Sequence, residues 1–215
     1  MSANAPETTG LRERKKLLTR RALMEAATDL FERKGFHATS LEDIAAVVKI
    51  SPRTLTRYFG SKEGVILGYE DDNNAALLRE LAARPAAESP LEALRAATLA
   101  VIDGSSGEDS ERYLRVQRLI MANPPLLARS LERITEHGHM LAGVLAVRMG
   151  VDPGADMYPR LAVGVVGAAV QTAKEQWLRG QDESAEKLTD LIREALDLLM
   201  SWPAPPTKAD AAHRL

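Results

Sequence analysis

Apolar residues recur at helical spacing along most of the chain, and the clearest pattern lies between residues 39 and 63. The first apolar face in this stretch consists of Leu41, Ile44, Ala45 and Val48. The period breaks at residues 49–51 and resumes with Leu55 and Phe59, which are one helical turn apart. Two short helices joined across a three-residue turn are typical of a helix-turn-helix.

Capping residues mark the start of each of these two helices. Thr39 is predicted to cap the first helix, and Glu42 three residues later completes a capping box. Ser51 is predicted to cap the second helix, and Pro52 follows at the first helical position, where its missing N–H costs no hydrogen bond. The second helix is therefore expected to be about two turns long.

The second helix presents a basic, hydroxyl-rich face once Leu55 and Phe59 point inward. The outward residues are Arg53, Thr54, Thr56, Arg57 and Tyr58. Guanidinium and hydroxyl groups suit guanine edges and phosphate oxygens, so this helix is predicted to read a DNA groove. An ordinary solvated helix pair is the alternative, but it would not require the caps, the turn and the basic face to coincide.

The rest of the chain continues as helices, which predicts an all-α fold of about nine helices. Ser89 and Glu92 form a second capping box, and Asn123 with the two following prolines separates two helices. The predicted helices after the helix-turn-helix cover residues 62–83, 90–103, 110–121, 126–149, 152–179 and 184–201, with a loop at 104–109. A composition of 45% hydrophobic but only 4% aromatic residues favours a helical core over a sheet.

Positive charge is concentrated at one end of the chain. Residues 11–62 hold twelve Lys or Arg against six Asp or Glu, a net charge of +6, whereas the whole chain carries −2. A basic lobe on an otherwise acidic protein predicts phosphate binding that weakens with salt. A cluster just before the first apolar face is a candidate for flanking phosphates or a minor groove, or simply a solubilising helix start: Arg12, Arg14, Lys15, Lys16, Arg20 and Arg21.

Several classes of protein are disfavoured by what the sequence lacks. The chain has no cysteine, so disulfides and thiolate metal sites cannot occur. No apolar run approaches the length of a membrane span and the N-terminus has no signal-peptide core, so we expect a cytoplasmic protein. His137 and His139 point in different directions on a helix, and no catalytic motif is present, so we expect neither an enzyme, a metal nor a cofactor. Residues 1–10 and 203–215 are expected to be disordered tails.

The first seventy residues resemble the TetR family of one-component transcriptional repressors. The matching segments are Leu23–Phe31, Gly35–Phe36, Thr39–Ala45, Ile50–Ser51, Thr54–Leu55, Tyr58–Phe59 and Ser61–Glu63. The resemblance implies a DNA-binding domain of three helices at residues 11–60 and a helical ligand-binding and dimerisation domain at 61–202. It also implies that Thr39 and Lys62 bind backbone phosphates while the helix from Pro52 to Tyr58 enters the major groove.

Two positions depart from the family pattern. Lys49 replaces the usual turn glycine, and at positive φ it would carry a strain of about 1 kcal/mol or somewhat more. Thr56 replaces the usual phosphate-contacting tyrosine, so that contact is expected to be weaker or to come from Tyr58. The predicted DNA-binding residues are therefore Thr39, Lys49, Ser51, Pro52, Arg53, Thr54, Thr56, Arg57, Tyr58 and Lys62.

The last two predicted helices carry apolar stripes that indicate a homodimer. In the first of them the stripe consists of Leu161, Val165, Ala168, Ala169, Thr172 and Ala173. In the second the stripe is wider than one neighbour would cover: Leu188, Leu191, Ile192, Ala195, Leu198 and Leu199. Pairing of both helices across a two-fold axis would form a four-helix bundle, as TetR-like proteins do. The alternative is that the stripes are core of a single chain.

An effector pocket is predicted among the helices that span residues 90–179. The candidate lining residues are Arg118, Leu119, Met121, His137, Met140, Val144, Val166, Gln171, Glu175 and Trp177. Within the family, segments 53–59 and 148–153 resemble a subgroup associated with acyl-coenzyme-A-like ligands. The predicted function is a ligand-responsive repressor that binds a palindromic double-stranded DNA operator as a dimer and is released by a small hydrophobic effector. A helical adaptor without DNA binding, in which the basic helix meets an acidic protein, is the competing function.

Overall fold

A computed structural model describes residues 6–105, 107–180, 182 and 184–201, with side chains from residue 14 onward. Over these residues the chain is all-α, as predicted, without a β-strand. The helices are α1 (Pro6–Lys34), α2 (Leu41–Val47), α3 (Pro52–Phe59), α4 (Lys62–Ala83), α5 (Pro90–Asp103), α6 (Gly107–Ala122), α7 (Pro124–Met149), α8 (Tyr158–Arg179) and α9 (Ala185–Met200). None of these helices is both long and apolar enough to cross a bilayer.

Some helices begin earlier than the sequence pattern predicts. Helix α1 starts at Pro6, so residues 6–10 are helical rather than a disordered tail; the other tail residues, 1–5 and 203–215, lie outside the described part of the chain. Helix α6 starts at Gly107, inside the predicted loop, because Glu108 and Asp109 favour the positive end of the helix dipole. Helix α7 includes Pro124 in its first turn, where prolines are tolerated.

Helix α8 begins later than predicted, at Tyr158 instead of residue 152. The Asp152 carboxylate accepts a hydrogen bond from the Gly154 N–H at 2.8 Å, and the Asp156 carboxylate accepts one from the Tyr158 N–H at 2.7 Å. These side-chain turns compete with helical hydrogen bonding. Residues 152–157 are therefore a turn segment, and the prediction of a helix there is wrong.

The first compact unit comprises Met1–Asn73 and Arg112–Arg133. Its core draws apolar residues from α1, α2, α3, the first half of α4, α6 and the start of α7. All six residues predicted to face inward in the helix-turn-helix do so: Ile44, Ala45 and Leu55 are buried in this core, and Leu41, Val48 and Phe59 are half-buried and pack against it. Ion pairs reinforce it, since the Arg115 guanidinium donates to Asp29 at 2.6 Å and to Glu32 at 2.9 and 2.5 Å. This unit is larger than residues 11–60, and the functional boundary at residue 60 stays a prediction.

The second compact unit comprises Asn74–Glu111 and Ile134–Leu215, and α8 packs along α9 with α5 against both. Trp177 is 1% exposed, and its indole N–H donates to the Ser184 carbonyl at 3.1 Å, which joins the end of α8 to the start of α9. Arg148 closes the end of α4 by donating to the Arg84 carbonyl at 2.6 Å and the Pro85 carbonyl at 2.9 Å. Both side chains therefore fix connections between helices.

Candidate nucleic-acid interface

Helix α2 is capped one residue later than predicted. The Ser40 hydroxyl accepts a hydrogen bond from the Asp43 N–H at 3.1 Å, and the Asp43 carboxylate accepts one from the Ser40 N–H at 3.0 Å. The backbone hydrogen bond from Ser40 holds the pKa of Asp43 below its usual value. The capping box is therefore Ser40 with Asp43, and the prediction of Thr39 with Glu42 is wrong.

Thr39 has a different structural role from the predicted cap. Its side chain is 2% exposed, and its hydroxyl donates to the Gly35 carbonyl at 2.9 Å, just after the end of α1. This bond ties the segment before α2 to the residue that follows α1. The phosphate contact implied for Thr39 stays a prediction, and it would require this buried hydroxyl to leave its partner.

The turn between α2 and α3 contains the one non-glycine residue of the described chain with positive φ, Lys49 at 56°. The Ile50 N–H donates to the Ala45 carbonyl at 3.0 Å and the Lys49 N–H donates to the Ala46 carbonyl at 3.2 Å. This pair of hydrogen bonds is the Schellman motif, in which glycine is preferred at the position that Lys49 occupies. The strain expected for a side chain in this turn is therefore present.

We expect Lys49→Gly to raise the thermal stability of the protein. Relief of left-handed strain is worth about 1–2 kcal/mol, and the greater freedom of glycine in the unfolded chain offsets about 0.4–1 kcal/mol of it. The net gain of about 0.5–1 kcal/mol should raise the melting temperature by roughly 1–4 °C in calorimetry. Lys49→Ala removes the same charge but keeps the strain, so an equal rise for both variants would contradict this explanation.

Helix α3 is built as the sequence predicts, with Ser51 at its N-cap and Pro52 in its first turn. The Ser51 hydroxyl accepts from the Thr54 N–H at 3.1 Å and pairs with the Thr54 hydroxyl at 2.8 Å. The Thr56 hydroxyl donates back to the Pro52 carbonyl at 3.0 Å. These bonds leave few free hydroxyl donors, so the two arginines are the main donors on this helix.

Arg53 and Arg57 lie one turn apart on the exposed face of α3, while Leu55 is fully buried beneath them. Neither guanidinium has an ion-pair partner among the residues that the structure describes. Thr56 is exposed between them, and Tyr58 is half-buried at the edge of the face. The arrangement offers two forked donors on one side of a short, firmly capped helix.

Lys62, at the start of α4, is occupied by protein contacts. Its ammonium donates to the Phe36 carbonyl at 2.9 Å and to the Thr39 carbonyl at 3.3 Å, and it lies 4.3 Å from the centroid of the Phe36 ring. A lysine ammonium has three donors, so one remains for a phosphate oxygen. The phosphate contact implied for Lys62 stays a prediction. The hydrogen bonds of Lys62 to the Phe36 and Thr39 carbonyls also stabilise the segment before α2.

The basic cluster on α1 divides into two groups. Arg14, Lys15, Lys16 and Arg21 are exposed, whereas Arg12 lies outside the described side chains. Arg20 is mostly buried, and its guanidinium is held by α4 through Gly68 and Asp72. A DNA contact by Arg20 stays a prediction, and it would have to come from the guanidinium donors that Gly68 and Asp72 do not use.

Two family models cover most of the chain. Residues 23–68 match the model described as bacterial regulatory proteins, tetR family, and residues 88–202, more than half of the chain, match the MftR C-terminal domain. The chain belongs to the TetR family. It is therefore a DNA-binding transcriptional regulator, and ligand-responsive repression is typical of its family.

Two curated relatives of this TetR-family regulator match along most of their length. The transcriptional regulator TcmR of Streptomyces glaucescens is 37% identical over 212 residues, which are 94% of each chain. The putative mycofactocin biosynthesis transcriptional regulator MftR of Mycobacterium tuberculosis is 31% identical over 188 residues, covering 86% of this chain and 91% of MftR. Both relatives are transcriptional regulators by name.

Solved structures show the same fold at lower identity. SmeT in complex with triclosan superposes with a TM-score of 0.56 and 20% identity, covering 89% of this chain and all of SmeT. FadR of Thermus thermophilus in complex with lauroyl-CoA superposes with a TM-score of 0.53 and 23% identity, covering 87% of this chain and all of FadR. These likenesses establish the TetR architecture of the chain.

The residues predicted to line an effector pocket are divided between the two compact units of this TetR-family regulator. Arg118, Leu119 and Met121 belong to the first unit, and the remaining candidates belong to the second. Val166 and Trp177 are buried, whereas Arg118, Met121 and Met140 are exposed. Trp177 already uses its indole N–H in the α8–α9 connection, so its surroundings favour a packing role. Whether these residues form one pocket stays a prediction.

A shallow groove on the second unit has a volume of about 690 Å³ and is lined by other residues. They are Ala87, Glu88, Glu92, Arg95, Ala96, Asp197, Met200 and Ser201. None of them is a predicted effector residue. Within the described parts of the chain, no group of three His, Asp or Glu side chains is arranged to hold a metal ion.

Proposed function

We propose that this regulator is a repressor that binds a palindromic operator as a homodimer and is released by a small hydrophobic effector. The observation that carries the proposal is the exposed face of α3, where Arg53 and Arg57 are free of ion pairs within the described residues. Forked donors at i and i+4 suit guanine edges and phosphates in a major groove. The cytoplasm, where such a regulator meets bacterial DNA, is the compartment we propose.

The exposed side of α8 supports a two-fold interface. Leu161 is 58% exposed, and Gly164, Ala168 and Thr172 follow it on the same exposed face. Small residues that follow a large apolar one on the same face permit close helix packing. Half of the apolar stripe of α9 is buried within the chain and two further members are half-buried, which leaves Leu198 as its exposed member. The proposed interface therefore consists mainly of α8, with a smaller share from α9 than the sequence pattern predicts.

We propose an acyl-coenzyme-A-like effector that binds among the helices spanning residues 90–179, with no cofactor. The support is the resemblance of segments 53–59 and 148–153 to the subgroup associated with such ligands. The FadR complex with lauroyl-CoA supports only that this fold can hold such a molecule. An effector that prefers one conformation of the protein lowers operator affinity by its difference in affinity for the two conformations.

The proposal is tested by titrating the full chain against duplexes from the DNA around its own gene. We expect nanomolar binding to a palindrome that weakens steeply as salt rises, because phosphate contacts release counterions. Addition of lauroyl-CoA to the complex should release the duplex, whereas coenzyme A alone should not.

Each part of the proposal has its own contrary outcome. Absence of binding to any duplex at low salt would favour the adaptor, in which the α3 arginines meet an acidic protein. If lauroyl-CoA leaves duplex binding unchanged, the proposal of an acyl-coenzyme-A-like effector fails, while the proposal of a DNA-binding repressor stands. Equal affinity for a palindrome and for an isolated half-site would contradict the proposal that the protein binds DNA as a homodimer.

A further inference from the structure

Three helices meet at the end of α3, and Arg20 occupies their junction. Its Nη2 donates to the Gly68 carbonyl on α4 at 3.0 Å, and its Nε donates to the Asp72 carboxylate at 3.2 Å. Its guanidinium carbon lies 4.8 Å from the centroid of the Phe59 ring, the last residue of α3. The Arg20 side chain is only 19% exposed. One cation on α1 therefore contacts both α4 and the end of the recognition helix.

Phe59 matters because α3 has only eight residues. A helix of this length has little stability of its own, so its direction is set by what it packs against. Leu55 gives one fixed point, since it is fully buried in the core of the first unit. Phe59, one turn later, gives the second point. The packing of Leu55 and of Phe59 together sets the direction of the α3 axis, and Arg20 covers the Phe59 ring.

The glycines of α4 show how tightly this junction is packed. A Cβ at Gly68 would lie 2.7 Å from the Met24 sulfur, 3.0 Å from Cε1 of Phe59 and 3.1 Å from Nη2 of Arg20. A Cβ at Gly64 would lie 2.1 Å from the Phe59 carbonyl oxygen. Helix α4 thus approaches the end of α3 as closely as backbone allows. A shift in the first half of α4 would therefore carry Phe59 with it.

We propose that Arg20 is a positioning residue for DNA recognition, which sets the direction of α3 by fixing Phe59 against α4 without touching DNA itself. This inference rests on the proposed function, because it concerns the same recognition helix. Its chemistry is a cation over an aromatic face together with charge-assisted hydrogen bonds to Gly68 and Asp72. Arg21, the next residue, carries the same charge but is exposed, so it provides a matched control.

The test compares Arg20→Ala with Arg21→Ala in duplex titrations at several salt concentrations. Loss of the junction contacts should lower the affinity of Arg20→Ala for the selected palindrome by about tenfold. Affinity for random duplex and the salt dependence should stay as in the wild type, because no phosphate contact is lost. Arg21→Ala should keep the ratio of specific to random binding. Arg20→Lys keeps a cation over the ring, so it should recover part of the loss.

Two controls separate this role from simple stabilisation of the fold. Ile192→Val trims a buried side chain of the second unit, and at a similar loss of melting temperature it should leave specific binding unchanged. If Arg20→Ala does not fold, Arg20→Lys is compared with the wild type, and a loss of specificity at an unchanged salt slope is then the expected result.

The contrary outcomes are distinct. A salt slope that falls by about one unit for Arg20→Ala would make Arg20 a phosphate contact and overturn the positioning role. The positioning role would also be overturned if Arg20→Ala keeps the wild-type ratio of specific to random binding. If Arg20→Ala does not fold, the same outcome in Arg20→Lys would overturn it. If the wild type binds no duplex, the proposed function fails and this inference fails with it.

Discussion

Leu161→Glu is expected to separate the dimer and to lower affinity for a palindromic duplex by about 100-fold or more. Leu161 is 58% exposed and is followed on the exposed face of α8 by small residues, so in the proposed interface the new carboxylate would be buried without a partner. Loss of the second subunit removes the gain in affinity from binding both half-sites together, a factor of about 10²–10⁴. Light scattering gives the mass, and titrations with a palindrome and a half-site give the affinities.

Ile134→Glu is the matched control for this substitution. Ile134 is also a partly exposed apolar residue, but it lies on α7 rather than on the proposed interface. We expect Ile134→Glu to stay dimeric and to bind the palindrome normally. A dimeric Leu161→Glu variant, or a wild-type protein that is monomeric when it binds the palindrome, would contradict the interface.

Arg57→Ala is expected to lower operator affinity by about 1–3 kcal/mol, which is roughly 5- to 150-fold. The reason is that Arg57 lies on the exposed face of α3 with no ion-pair partner in the described chain, where a guanidinium can make two hydrogen bonds to one guanine. The measurement is a titration against operator duplexes in which each base pair is changed in turn. The variant should stop discriminating at one position only.

Lys62→Ala provides the contrast to Arg57→Ala. If Lys62 donates its remaining hydrogen bond to a phosphate, its loss should weaken binding to all duplexes alike and lower the salt slope by about one unit. Its bonds to the Phe36 and Thr39 carbonyls add a structural effect that should appear as a lower melting temperature. Unchanged affinity and unchanged sequence preference in Arg57→Ala would show that α3 is not the reading helix.

The local features of the fold could be predicted because they depend on neighbours in sequence. Helix α4 runs over the predicted residues 62–83, and α3 begins at Pro52 after the predicted Ser51 cap. Caps and apolar periodicity act within a few residues, so the sequence contains all that is needed. The confirmed inward-facing residues of the helix-turn-helix follow from the same short-range pattern.

The errors arise where distant contacts choose between local alternatives. Thr39 and Ser40 are both capping residues, and each has an acidic residue three positions later. The hydroxyl bond from Thr39 to Gly35 settles the choice in favour of Ser40. Such a bond depends on how the end of α1 meets the turn before α2, which short-range capping rules do not describe.

Long-range partners explain the remaining differences. Arg20 stands in a run of cations and gives no local sign that its donors bind α4, about fifty residues further along the chain. The effector residues were inferred from their helices, and α6 assigns Arg118, Leu119 and Met121 to the first compact unit and not the second, so the pocket stays a prediction. Periodicity identifies the buried face of a helix but not the helix that covers it.

The central claim, that a pair of α3 helices lies against base pairs, is tested most directly by DNA cleavage from a label on Thr56→Cys. Thr56 is exposed between Arg53 and Arg57, and the chain has no natural cysteine, so an iron chelate would attach at one position per subunit. Wild-type protein treated with the same reagent is the control. We predict two sites of cleavage about one helical turn, roughly 34–36 Å, apart in a palindromic duplex. Cleavage no greater than in the wild-type control, or at a single site, would contradict the claim.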